Sequence, residues 1–342
     1  MAINSTSREQ ILAMELSSRE LSLKIAECSI YAVLILVAFF GNFMVFLAII
    51  KNSKLRTVPN YYIASLSIAD MLMSLKMPLT LVTLIAGDFV FGEAICQYHG
   101  YTGSVLGVAS LLTITLTAVN RYVRIVRVTD YPKYYSSKNA LRSIVAAWAL
   151  AIITPIPYLA TGHRFVFLPG KAFCFYDLDD LNIYYAVTTI IGFSVLPFGV
   201  TAVCYYKVFR TVRQHNSIWG KLLTRMSAPG ARKFGVDEVK LAKLLFVILL
   251  SFAACWTPFV IIDTVGAFKG QFYFPRYVYL IYTVSVGLSS CINPVIYGAM
   301  NQEFRLEFKR ILTFSCCRFS LPKKHVQAKY VVDIKVQRNE HI

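Results

Sequence analysis

Asn293-Pro294-Val295-Ile296-Tyr297 ends the last of seven long apolar runs in this chain, and Asn120-Arg121-Tyr122 ends the third. A plain lipid anchor has no use for either stretch. A charged side chain at the bilayer centre costs about 3 kcal/mol or more, and proline removes a backbone donor, so such residues mark a working interior. The runs lie at 29–50, 60–85, 98–126, 140–160, 184–209, 241–267 and 277–300. Each is about 20 residues or longer, enough for a helix to cross about 30 Å of hydrocarbon.

Composition points the same way. The chain is 56% hydrophobic and 15% charged, whereas charged residues alone reach about 25% of soluble domains. Too few residues remain for a separate soluble domain. The expected fold is an all-α membrane protein with an outer tail at 1–28 and a seven-transmembrane helix bundle at 29–300. A short amphipathic helix at 301–314 and a basic cytoplasmic tail at 315–342 follow. In the amphipathic segment Phe304, Phe308, Ile311 and Leu312 recur at helical spacing, with Arg305, Lys309 and Arg310 on other faces. That pattern suits a helix lying on the inner leaflet and in contact with membrane lipids.

Basic residues set the orientation. Lys51, Lys54 and Arg56 follow the first run, Arg124, Arg127 and Lys133 the third, Lys207, Arg210 and Arg213 the fifth, and Arg305, Lys309 and Arg310 the seventh. The alternate loops are poor in bases, so the N-terminus is outside and the C-terminus cytoplasmic. The net charge of +17 then reflects topology and anionic lipid, not a nucleic-acid partner.

Cysteines fit this topology. Cys96 opens the third run on the outer side and Cys174 lies in the outer loop after the fourth, where an oxidising exterior favours a disulfide between them. Cys316 and Cys317 lie just past the last run on the reducing side, as palmitoylation sites or as two plain thiols. Asn4-Ser5-Thr6 fits a glycosylation acceptor on the outer tail. No charged n-region and apolar h-region precede the first run, so no cleaved signal peptide is expected.

Further residues fall into a recognisable order. Gly41-Asn42 stands in the first run, Leu66-Ser67-Ile68-Ala69-Asp70 in the second, and Cys96 with Asn120-Arg121-Tyr122 in the third. Trp148, then Pro197 and Tyr205, then Phe252 with Cys255-Trp256-Thr257-Pro258, and finally Asn293 to Tyr297 complete it. The whole chain of motifs resembles the rhodopsin-like (class A) G-protein-coupled receptors across all seven runs. Asn120 in place of an acid before Arg121, the stretch Tyr134-Tyr135-Ser136-Ser137-Lys138-Asn139, and Ile296-Tyr297-Gly298 followed by Asn301-Gln302 resemble the melatonin-receptor branch. That branch carries an asparagine, a glutamine and a histidine at its ligand, where this chain has Tyr158, Leu178 and Phe193.

The resemblance implies a plasma-membrane receptor, not an enzyme. An extracellular small-molecule or peptide ligand would bind in the outer half of the bundle. The inner end of the sixth helix would then open to a heterotrimeric G protein, inhibitory by analogy with the melatonin branch. It implies a pocket built from Lys76, Gly103, Phe193, Trp256, Phe259 and Asp263. Gly103 stands where amine receptors carry an aspartate, which argues against a biogenic amine. It also implies a mid-membrane network of Asp70, Ser110, Ser289, Ser290 and Asn293. There the chain either holds a sodium ion, its one expected metal, with Asp70 and Ser110, or keeps Asp70 protonated; no other cofactor is expected. Arg121 would meet Glu238 at rest and pass to Tyr205 and Tyr297 on opening. Lys76 either pairs with Asp263 or receives an acidic ligand. A light sensor would need a lysine in the seventh run, where Gly287 stands instead. A non-signalling seven-span protein is the other alternative. Segment 321–342 has no serine or threonine, so arrestin recruitment through the tail is expected to be weak.

Overall fold

The computed structural model describes residues 5–181, 187–189, 191–223 and 236–317. Its helices follow the apolar runs. The first span is Leu21–Lys51, the second Val58–Ala86, the third Glu93–Val126, the sixth Val236–Lys269 and the seventh Arg276–Met300. The fourth is broken near its outer end, as Ser137–Ile153 and then Ile156–Ala160, around Pro155 and Pro157. The fifth, Leu196–Leu223, continues from a single π turn at Ile191–Val195. Pro197 closely follows that π turn, so its missing donor falls where the helical hydrogen-bond ladder changes register. Pro78, Pro258 and Pro294 lie inside the second, sixth and seventh spans.

Among the described residues, six helices are long and apolar enough to cross a membrane. The fifth is apolar from Leu196 to Tyr206 and then carries Lys207, Arg210 and Arg213. That inner end is adapted to the charged interface, as lysine and arginine are at cytoplasmic helix ends. Large apolar side chains such as Val33, Leu36, Phe40, Leu75 and Leu141 face outward. In water such a surface would aggregate; in lipid it is the solvent-facing side.

The buried side divides by depth. Near the outer end, Tyr31, Leu34, Met77 and Leu84 form one cluster. Midway, Leu66, Leu111, Ile114, Phe252 and Trp256 form another. At the inner end Val45, Ile49, Ile63, Tyr205 and Tyr297 pack together. Phe304, from the surface helix Gln302–Cys317, joins the inner cluster and stacks on Tyr297 at 5.4 Å. Asn301 starts that helix, its Oδ1 accepting from the Glu303 amide at 3.0 Å.

Two elements cover the outer end. An antiparallel hairpin pairs Val166–Leu168 with Phe173–Phe175, Phe167 facing Cys174. A helix at Ser5–Ser17 lies within the 1–28 outer segment and buries Leu12 and Leu16 against the bundle.

Candidate functional site

The hairpin is fixed at both of its faces. Cys174 forms a disulfide with Cys96 at the top of the third span, with 5.3 Å between the Cα atoms. At the tip, Lys171 is 3% exposed and its Nζ donates to Asp263 Oδ1 at 2.7 Å. Tyr282 donates to the other oxygen of Asp263 at 3.1 Å, and its ring lies 4.3 Å from the Lys171 ammonium. Thr283 holds the Lys171 carbonyl at 2.8 Å. Asp263 is therefore paired with the hairpin, not with Lys76. The pairing of Lys76 with Asp263, one of the two readings open from sequence, is replaced because a loop lysine reaches the acid first.

A second charged cluster locks the N-terminal helix. The Glu27 carboxylate, 4% exposed, accepts both arms of Arg276 at 2.8 and 2.6 Å and also pairs with Arg19. Arg19 reaches the Leu16 and Leu84 carbonyls as well. Glu27, Arg19, Arg276 and Lys171 were not legible as site residues. Their sequence signal was an acid at the mouth of an apolar run, which burial makes costly unless it is paired.

Beneath the hairpin lies a cavity of about 130 Å³ lined by residues of the second, third, sixth and seventh spans and the outer loop. Lys76, Gly103, Trp256, Phe259 and Asp263 all line it, so the structure brings these expected pocket residues together. Phe193 lies in the π turn, its side chain outside the described residues. Gly103 gives Lys76 its room, since a Cβ there would stand 2.5 Å from Nζ. Gly107 does the same for Trp256, whose ring tip would lie 3.0 Å from an added Cβ. Rings then run inward without a break: Phe175 to Phe259 at 6.3 Å, Phe259 to Trp256 at 5.0 Å, Trp256 to Phe252 at 5.4 Å and Phe252 to Phe198 at 5.9 Å. Tyr158 is not a cavity residue. It is fully buried under the loop, donating to the Arg164 carbonyl at 2.6 Å and accepting from the Asp177 amide at 3.1 Å. Leu178 does line the cavity.

At mid-membrane Asp70 is 3% exposed and accepts from Asn293 Nδ2 at 2.9 Å. Ser110, Ser289 and Ser290 are buried too, and Asn42 Nδ2 reaches the Ser290 carbonyl at 2.8 Å. Asn293 Oδ1 is buried without a hydrogen-bond partner. At the inner end Arg121 is 2% exposed, and Tyr205 and Tyr297 are buried in the inner cluster. Asn120 turns to the inner loop and donates to the Tyr131 hydroxyl at 3.4 Å. Tyr122 lies under the Lys207 ammonium, 5.4 Å from its ring centre. Glu238 is in the sixth helix, and Cys316 and Cys317 end the surface helix, but the side chains of all three lie outside the described residues. Asn4 lies outside them altogether.

The family profile described as "7 transmembrane receptor (rhodopsin family)" matches residues 41–297. The chain belongs to that family. It is a class A G-protein-coupled receptor, a multi-pass protein of the plasma membrane and not an enzyme, with an extracellular ligand and a G protein as its partners. It is similar to the melatonin receptor type 1C of Gallus gallus, 27% identical over 288 residues, covering 83% of this chain and 81% of that one. The melatonin receptor type 1A of Mus musculus is 28% identical over 286 residues, with 82% and 78% covered. The crystal structure of squid rhodopsin shares the fold, with a TM-score of 0.76, 21% identity and 87% and 88% of the two chains covered.

Proposed function

We propose that a compact extracellular ligand, seated under the hairpin, acts on Trp256 to open the inner end of the sixth span to an inhibitory heterotrimeric G protein. The observation that carries this reading is the unbroken line of rings from Phe175 at the roof to Phe252 and Phe198 in the middle of the bundle. Pro258, two residues from Trp256, removes a backbone donor where that line enters the sixth helix. The inhibitory subtype rests on similarity to the melatonin receptors.

The ligand is neither melatonin nor a biogenic amine. Tyr158 is committed to the loop, Leu178 offers no polar group to the cavity, and Gly103 provides no counter-ion for an amine. A photoreceptor role is disfavoured by Gly287 in the seventh span and by a cavity of about 130 Å³, small for a long polyene.

In the same reading Asp70, Ser110, Ser289, Ser290 and Asn293 hold a hydrated sodium ion at rest. The orphaned Asn293 Oδ1 and the buried Asp70 carboxylate fit a cation. The ion would supply positive charge to a carboxylate otherwise costly at that depth. On activation Tyr205 and Tyr297 take over Arg121 from Glu238. Palmitate on Cys316 and Cys317 and membrane lipid would hold the surface helix to the inner leaflet, and Asn4 would carry a glycan.

Cells expressing the receptor, exposed to candidate ligands, should lower cAMP without a calcium rise, and Arg121→Ala should abolish the response. A ligand that raises calcium with no change in cAMP would overturn the inhibitory assignment.

A further inference from the structure

Charge near the cavity does not balance. Two buried lysines, Lys76 and Lys171, lie at or over it, and among its described lining residues Asp263 is the one acid. Lys171 and Tyr282 occupy both oxygens of that acid. Lys76 is 9% exposed, faces the cavity, and has no ion pair or hydrogen bond to a described residue. An isolated buried charge is expensive, so a site that keeps one implies a partner that arrives from outside.

We propose that Lys76 is the anchor for an anionic ligand, a compact carboxylic acid with an apolar body, whose carboxylate accepts from the Lys76 ammonium between the second and third spans. This rests on the reading of the cavity as the receptor's ligand site and specifies what fills it. Hydroxyls stand nearby to share the carboxylate. Thr80 shares a hydrogen bond with His99 Nε2 at 3.3 Å, and Ser104 shares one with the Tyr176 hydroxyl at 2.6 Å; all four residues line the cavity. Apolar side chains, Met73, Met77, Leu111, Trp256, Phe259 and Val286 among them, make up much of the remaining wall. The size is restrictive. A dry cavity of about 150 Å³ accommodates benzene, so about 130 Å³ takes one small ring or a short alkyl chain. Its body would rest on Trp256 while its head holds Lys76.

Purified full-length receptor in lipid nanodiscs is titrated with phenylacetate, benzoate and hexanoate, each beside its primary amide, while thermal unfolding is followed. At least one acid should raise the unfolding temperature and bind at least about thirtyfold more tightly than its amide, the low end for a desolvated charge pair. Lys76→Met should lose that preference while unfolding at a higher temperature than wild type without ligand, because it removes a buried unpaired ammonium. Gly103→Ala, which crowds Nζ, should weaken the acids and spare the amides. The proposal is overturned if no acid shifts unfolding, if acid and amide act alike, or if Lys76→Met keeps the preference. Acid binding with no cAMP change would leave Lys76 as the anchor and sink the signalling role. A cAMP response to an uncharged ligand that survives Lys76→Met would do the reverse.

Discussion

The two ends of this bundle are held together by different forces. At the outer end a disulfide, a lysine–aspartate pair and an arginine–glutamate–arginine cluster fasten a hairpin and a helix across the mouth. At the inner end Tyr205, Tyr297, Phe304 and Ile49 form a packed cluster, and the polar contacts described around it are scattered: Asn52 to Glu307 at 2.9 Å, Tyr62 to Ser143 at 3.0 Å and Asn120 to Tyr131 at 3.4 Å. Strong, directional contacts lock one geometry, whereas ring and aliphatic packing can be exchanged at low cost. The outer end is therefore fastened by covalent and charged contacts that the described inner end has fewer of, which suits the proposed opening at the inner end. Damage outside should read as lost stability, and damage inside as altered signalling.

The largest effect expected is from Cys96→Ala. The bond spans a sequence separation of 78, and closing such a loop restricts the unfolded chain by about 4.5 kcal/mol. Surface expression should collapse. Near-normal amounts of stable Cys96→Ala receptor at the cell surface would show that the clamp does not depend on the disulfide.

Next comes Glu27→Ala. It leaves Arg19 and Arg276 buried beside each other with no acid, and breaking a buried pair in this way costs about 3–5 kcal/mol. The unfolding temperature of purified receptor should fall by several degrees, while the G-protein response of the surviving fraction is retained. A change in basal signalling with unaltered stability would invert the comparison and place a switch at the outer end.

The third test works on the inner end. Glu238→Ala should raise basal signalling under the proposed resting lock, in which the Glu238 charge opposes Arg121. A change of about 1 kcal/mol in that balance is a factor of about five in population. Asn120→Asp should lower basal activity or leave it alone, since it restores an ionised neighbour to Arg121. Equal basal cAMP in wild type and Glu238→Ala, at matched surface levels, would remove Glu238 from the resting lock.

Much of this arrangement could be read from the chain. The seven spans, their direction and the disulfide followed from apolar run length, basic loops and the placement of Cys96 and Cys174. The clamp did not. Ser5–Ser17 is too short and too polar to register as a membrane span, and its two buried leucines, Leu12 and Leu16, are one turn apart in an otherwise hydrophilic segment. Lys171 lies in a loop where burial has no periodic signature, so its capture of Asp263 depended on the hairpin's path. Long-range pairs such as Glu27 with Arg276, separated by 249 residues, leave no local pattern at all.

The smallest effect expected is from cutting the tail. Each phosphate that arrestin grips adds about −1.5 to −2 charge, but 321–342 offers no hydroxyl to carry one and instead has Lys323, Lys324, Lys329, Lys335 and Arg338. Of the nearby hydroxyls, Thr313 is bonded back to its own helix through the Lys309 carbonyl at 2.8 Å, and Ser315 and Ser320 follow in sequence. Bases near an anionic leaflet gain about 1 kcal/mol each by staying there, so a tail of this composition is expected to favour lipid over a soluble partner. Regulation by phosphate is then expected at Ser217, Thr224 and Ser227 between the fifth and sixth spans; the Ser217 side chain and all of Thr224 and Ser227 lie outside the described residues. Agonist-driven arrestin recruitment should be nearly the same in wild type and in a receptor ending at Ser320, and should drop when those three are changed to alanine. A large loss on truncation would mean that the basic tail itself carries the arrestin signal, and the inner end would then have a second regulatory arm beside the helix bundle.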